Sequence, residues 1–231
     1  MAAGNNYYLI TSLAALESLT SAPPLSNSAL LEHISDQPGA EDLVKTLLLA
    51  DDLMQRQALL AGEIDQTDPT VLTVEQVSDE EPLPEYLAGP PEPAPRRITG
   101  DSIWAAYFRH AMEVARARRC GFLEDWIGFE VAMRNALVEA RAKTLGLDPN
   151  DYFVEPRLGL PVNFSSTISE WSAAPDPLTG LKALDRARWD WLTRNDRAYS
   201  FADDEIAAYA AKLMLLHRWR RLAQAAENRQ D

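Results

Sequence analysis

The residues of this 231-residue chain that could do chemistry are two pairs of adjacent acids, three histidines, one cysteine and a cationic cluster near the C-terminal end. The acid pairs are Asp51-Asp52 and Asp203-Asp204. An acid–base dyad needs both carboxylates on one face, and neighbours i,i+1 on a helix point apart, so both pairs read as solvated surface acids. His33, His110 and His217 stand far apart, and none lies in an H-E-x-x-H pattern or in the paired Glu-x-x-His motif of a helical di-metal oxidase. Cys120 follows Arg118-Arg119, whose charges favour a thiolate, but a structural or exposed thiol is the preferred reading. A single cysteine excludes an intrachain disulfide framework and a cysteine-rich metal site, and it fits a reducing compartment. The phosphate-cradling patterns GxxxxGK[ST] and GxGxxG are missing, as is the GxSxG nucleophile elbow. The sequence therefore points to no catalytic residue, no cofactor and no metal.

Two features suggest contacts with other proteins. The run HRWRRL places His217, Arg218, Arg220 and Arg221 near a helix end. Cations there complement the helix dipole, and they could equally dock an acidic partner. All six tryptophans, Trp104, Trp126, Trp171, Trp189, Trp191 and Trp219, fall after residue 97. Core packing is the default for most of them. Trp189 and Trp191 lie two residues apart and cannot both face one core, so Trp191 is a candidate for a partner interface, where tryptophan is enriched.

The elements that position these residues are helical. Ser26 or Ser28 can cap a short helix over 26–37, which Pro38-Gly39 ends. An apolar stripe through Leu43, Leu47, Ala50, Met54 and Ala58 predicts a second helix over 40–60. Asp101 can cap a helix to residue 119 with Ile103, Trp104, Tyr107, Phe108, Ala111, Met112 and Ala115 inward. Gly121 interrupts, and 122–145 predicts a long helix ended by Gly146, apolar round more than half its circumference and so contacted from several sides. Residues 146–177 read as loops, and two further helices follow over 178–194 and 202–228. The strand candidates, 7–11 and 70–74, are weak. The expected fold is mainly α, a multi-helix bundle with few or no strands.

Charge divides the chain. Of the formal −13, residues 1–95 hold −14, with Lys45 and Arg56 against sixteen acids, and residues 96–231 hold +1. Six of the fifteen prolines lie in 82–95, which predicts an extended connector with polyproline character. The expected organisation is an acidic helical region over 1–80, a proline-rich linker over 81–97, and a main helical region over 98–231, both helical regions forming parts of one fold. So acidic a chain is a poor binder of nucleic acid. Its N-terminus lacks the basic stretch of a signal peptide, and no run reaches the ~18–20 apolar residues of a membrane span. The expectation is a cytoplasmic protein that reaches the inner membrane only through a protein partner.

Taken in order, several segments resemble a bacterial family. NNYYLITSLAAL, which carries Tyr7 and Tyr8, followed by PPLSNSALLEHI, resembles that family's tyrosine-rich opening and PPLS string. GFLEDWIGFEVAMRNALVEARAKTLG is similar to its central helix, with Trp126 in a W-x-x-F-E pattern and Asn135, Arg141 and Lys143 in an N-x-x-x-x-x-R-A-K element. RARWDWLTRNDRAYSFADDEIAAYAAKLMLLHRWRRL, with Trp189 in its W-x-W-L element, resembles the last two helices. The family is that of the bacterial proteins similar to the C/d-type central-stalk component of V-type ATPases, encoded beside V/A-type ATPase genes. The resemblance implies a non-catalytic part that joins the central shaft to the membrane rotor ring by contact alone. It also implies structural roles for Tyr7, Tyr8, Trp126, Asn135, Arg141 and Trp189, with Asn135 and Arg141 bonding helix ends or loops. Two other readings stand beside it: a helical adaptor or assembly factor, and an enzyme with an unrecognised acidic site.

Overall fold

The computed structural model describes residues 6–88 and 98–227. It is 69% helix, with ten α-helices and no strand among the described residues. The fold is thus the mainly α, multi-helix arrangement that the 3.6-residue periodicity predicts. The chain forms two compact units, one made of Met1–Glu81 with Arg188–Asp231, the other of Pro82–Ala187.

Unit 1 contains α1 (Tyr7–Ser12), α2 (Asn27–His33), α3 (Pro38–Leu60), α4 (Val74–Val77) and α10 (Asp203–Glu227). Ser26 caps α2 by accepting the Ala29 amide at 3.0 Å. Pro38 is not what ends α2, which stops at His33. It occupies the first turn of α3, where a missing N–H costs nothing and φ is already helical. The core of the unit is the packing of α3 on α10. Leu43, Val44, Leu47, Leu48 and Leu53 of α3 are buried, as are Ile206, Leu213 and Leu216 of α10. Ala207, Ala208, Ala210 and Ala211 are fully buried on α10. Small residues there let two helix backbones approach closely, and bulk is supplied by the leucines of α3.

Unit 2 contains α5 (Glu85–Ala88), α6 (Thr99–Arg118), α7 (Gly121–Leu145), two 3-10 turns (Pro149–Asp151 and Pro156–Leu158) and α8 (Ser165–Ser172). The division between units falls within α9 (Pro177–Asn195), after Ala187. The core of unit 2 is aromatic. Trp104 contacts Tyr107 and Phe108 at ring distances of 5.7 and 5.8 Å, and Phe129 contacts Trp126 and Phe164 at 5.7 and 5.2 Å. The left-handed Arg119 (φ 56°) ends α6, and Cys120 begins α7 by taking the Leu123 amide on its sulfur at 3.4 Å. The break therefore lies at Arg119-Cys120, one residue before Gly121, and Cys120 is a buried capping residue.

Several expectations are corrected. The strand candidate at 7–11 is helix α1, and 70–74 is a turn leading into α4. Both are too short for their alternation to be decisive, and Thr73 and Gln76 form a reciprocal capping box that fixes the start of α4. Part of the connector is helical, because α5 buries Leu87 in unit 2; its residues 89–97 lie outside the described residues. The loop-rich stretch 146–177 contains α8. The expected main region 98–231 is shared between the two units, since α10 packs with α3 of the acidic N-terminal region. An amphipathic stripe states that a helix has a buried face but not which helix covers it.

Candidate functional site

The densest polar cluster lies along α3 in unit 1. Asp51 and Asp52 are 1% and 0% exposed, so the reading of solvated surface acids is overturned. Their divergence is as expected from helix geometry. Asp51 faces α10, where Arg221 Nη2 donates to both its oxygens at 2.6 and 2.8 Å. Gln55 Nε2 adds a third donor at 3.0 Å. Asp52 faces the turn before α4 and accepts the amides of Thr70, Val71 and Leu72 at 2.9, 2.6 and 2.8 Å. One helical turn further on, Gln55 Oε1 accepts the Asp68 amide at 2.8 Å. Arg56 donates to the carbonyls of Gln76 and Val77 and pairs with Asp79.

The electrostatics follow from burial. Burial pushes the Asp52 carboxyl up to about 6, against the three amide bonds that favour its charged form, and the Asp51 charge adds to the rise. Both oxygens of each acid are filled by protein donors. Chemically the cluster is an anchor: α3 uses side chains to hold a turn that has no regular structure to satisfy its amides.

The cationic run on α10 feeds the same seam. His217 Nε2–H donates to the Leu25 carbonyl at 2.8 Å, and burial lowers its pKa below the ordinary histidine value. Arg218 Nη2 lies 3.0 Å from the sulfur of Met54, and Arg221 holds Asp51. Arg220 is exposed. Of the four residues expected to form one outward patch, three make internal contacts, because every third or fourth residue of α10 returns to the face that meets α3.

The remaining expected residues are scattered. Trp126 is buried and stacked on Phe129. Asn135 makes a two-way bond with Val154, donating to its carbonyl and accepting its amide, each at 2.9 Å. Arg141 lies over the Trp171 ring at 5.3 Å. Trp189 has the Lys212 ammonium 5.9 Å from its ring, and Trp191 is half-buried. A shallow open depression on α9 is lined by Trp189, Asp190, Thr193 and Arg194. Tyr7 and Tyr8, expected to be structural, are 50% and 83% exposed.

Sequence reasoning missed two features of unit 2. Asp101 does not cap α6; it pairs with Arg134 at 2.7 Å, and that guanidinium also lies 5.1 Å from the Trp104 ring. Gly128 lies within α7 because a Cβ there would stand 2.7 Å from Leu160 and 3.1 Å from the Leu158 carbonyl. Its own carbonyl accepts the Leu160 amide at 3.0 Å. A glycine inside a helix costs about 1 kcal/mol, so its presence alone signalled a close approach.

The turn between α9 and α10 is backbone-strained. Arg197, Tyr199 and Phe201 all have positive φ, at 54°, 65° and 51°. Each such residue costs about 1–3 kcal/mol. The Glu205 carboxylate offsets this by accepting the Tyr199 and Phe201 amides at 3.0 and 2.8 Å.

Fold and polar clusters together define a two-unit, all-helical protein in which a few buried ionisable groups, Asp51, Asp52, Arg56 and Asp101 among them, fasten helices and turns from inside. No family model matches the chain, and no curated protein or solved structure matches it. Among the described residues no group of three or more His, Cys, Asp or Glu could hold a metal ion, and no helix is long and apolar enough to cross a membrane.

Proposed function

We propose that the chain is a non-catalytic, C/d-like central-stalk component of a bacterial V/A-type rotary ATPase that links the central shaft to the membrane rotor ring. The observation that carries this reading is the ordered set of resembling segments, which fall in sequence on α1, α2, α7, α9 and α10. The bond between Asn135 and Val154 supports the structural role that the resemblance implies for that residue. On this reading the protein acts by contact, lies in the cytoplasm and meets the inner membrane through its partners.

Affinity purification of the tagged full chain from its native cell tests the reading. Stoichiometric recovery of shaft and rotor-ring proteins is the expected result. A chain that stays monomeric, with neither of them bound, overturns it. Transient, sub-stoichiometric recovery makes the chain an assembly factor of that complex instead.

A further inference from the structure

Tyrosine rings ordinarily lose water on folding, yet unit 1 holds three of them outside. Tyr7, Tyr8 and Tyr199 are 50%, 83% and 85% exposed. Tyr7 meets Tyr8 edge-on at 5.6 Å and Phe201 at 4.9 Å, so α1 and the α9–α10 turn share one run of ring contacts. Tyr199 lies two residues before Phe201 in that turn.

The backbone beneath these rings is fastened at each end. Asn6, buried just before α1, donates to Asp203 at 2.8 Å. Glu205 accepts the amides of Tyr199 and Phe201 at 3.0 and 2.8 Å. Lys212 holds Asp196 at 2.9 Å, and Asp196 in turn accepts the Ala198 amide at 3.2 Å. Left-handed φ at Arg197, Tyr199 and Phe201 sets successive side chains in a fixed pattern. A backbone fixed in this way lowers the ordering cost of binding, and tyrosine, with two side-chain torsions, adds little to it, which is the usual reason tyrosine serves as an interface anchor.

The charge around the rings selects the partner. Residues 196–205 carry four acids, Asp196, Asp203, Asp204 and Glu205, against Arg197 and the Lys212 that pairs with Asp196. Unit 1 as a whole carries ten basic and twenty-one acidic side chains, a net −11. A field of that sign draws in cations, and exposed tyrosine faces bind guanidinium groups by stacking.

We propose that Tyr7, Tyr8, Tyr199 and Phe201 form a docking surface for an arginine-rich segment of a partner protein, whose guanidinium groups stack on the tyrosine faces beside the acids that open α10. This surface stands independently of the rotary-ATPase reading, because its recognition rests on aromatic faces and charge alone.

The test titrates the full chain into a fluorescein-labelled peptide of alternating arginine and glycine, and into its lysine counterpart of equal charge, at near-physiological salt. The arginine peptide binds, and the lysine peptide binds about fivefold more weakly. Tyr8→Ala combined with Tyr199→Ala weakens the arginine peptide about tenfold, with the helical circular dichroism and melting temperature unchanged. The corresponding double Phe variant, which keeps the ring faces, retains affinity within about twofold. No binding, equal affinity for the two peptides, or an Ala variant that binds as well as the parent overturns the proposal. Sedimentation that shows the parent self-associating through these tyrosines also overturns it, by assigning the surface to a second copy of this chain.

Discussion

In unit 2 the large rings of α6 and α7 are inside: Trp104, Tyr107, Phe108, Phe122, Trp126 and Phe129 are all at most 8% exposed. In unit 1 the interior is largely leucine and alanine, and Tyr7, Tyr8 and Tyr199 lie outside. The polar groups differ too. Unit 1 buries Asp51, Asp52 and Gln55 together in its α3 seam, whereas the buried acids of unit 2, Asp101 and Asp185, lie far apart in sequence, and its Arg109–Glu155 pair at 2.8 Å is partly exposed. The contrast has a physical origin. Large rings pack between α6 and α7, and Asp101, buried on α6, pairs with Arg134 of α7. In unit 1 the irregular stretch from Gly62 to Thr73 has amides outside any helix, and side chains of α3 accept them. Unit 1 therefore places a titrating carboxyl, Asp52, in its polar seam, whereas the core of unit 2 is filled by rings.

Four experiments break or sharpen this contrast. The largest effect belongs to deletion of residues 1–81. It strips α3 from α10, so hydrogen exchange should show residues 203–227 unprotected while α6 and α7 keep their protection. Protection of α10 in that variant would return it to a single body with unit 2. Next, Asp52→Ala leaves the amides of Thr70, Val71 and Leu72, the last of them buried, without their acceptor. The expected cost is about 3–4 kcal/mol by urea unfolding, with proteolysis opening at 63–73. A cost below about 1 kcal/mol would deny the anchoring role.

The third concerns pH. Asp52 titrates near 6 in the folded chain against an ordinary value of 3.8. Between these values the folded state binds the proton more tightly, so the contribution of Asp52 is fully present below about 4 and is lost as pH rises through 6. Relative to Asp52→Asn, the parent should lose about 2–3 kcal/mol of stability between pH 4 and pH 7. A gap that does not change with pH would remove titration from the comparison. The smallest effect is in unit 2. Asn135→Ala removes both bonds to Val154 and should cost about 1–2 kcal/mol, with no dependence on pH over the same range.

Much of the fold was legible in the sequence. Leu43 and Leu47 recur at helical spacing, Gly146 ends α7 with φ of 68°, and Ser26 caps α2, each for a local reason readable from neighbouring residues. The candidate site was far less legible. Asp51 and Asp52 carry no signal that distinguishes them from Asp203 and Asp204, because the donors that bury them come from Arg221 and from the amides of 70–72. Arg218 and Arg221 read as an outward patch for the same reason.

The sequence by itself determined that the chain is helical, where its long helices run, and that its negative charge lies in the first 95 residues. These depend on propensity, periodicity and composition, which act within a few turns of the chain. The tertiary structure alone decided that α10 belongs with α3, that two adjacent carboxylates became buried fasteners, and that Tyr8 and Tyr199 stayed outside. Each depends on which distant surface arrives to remove water, and no local rule encodes that choice.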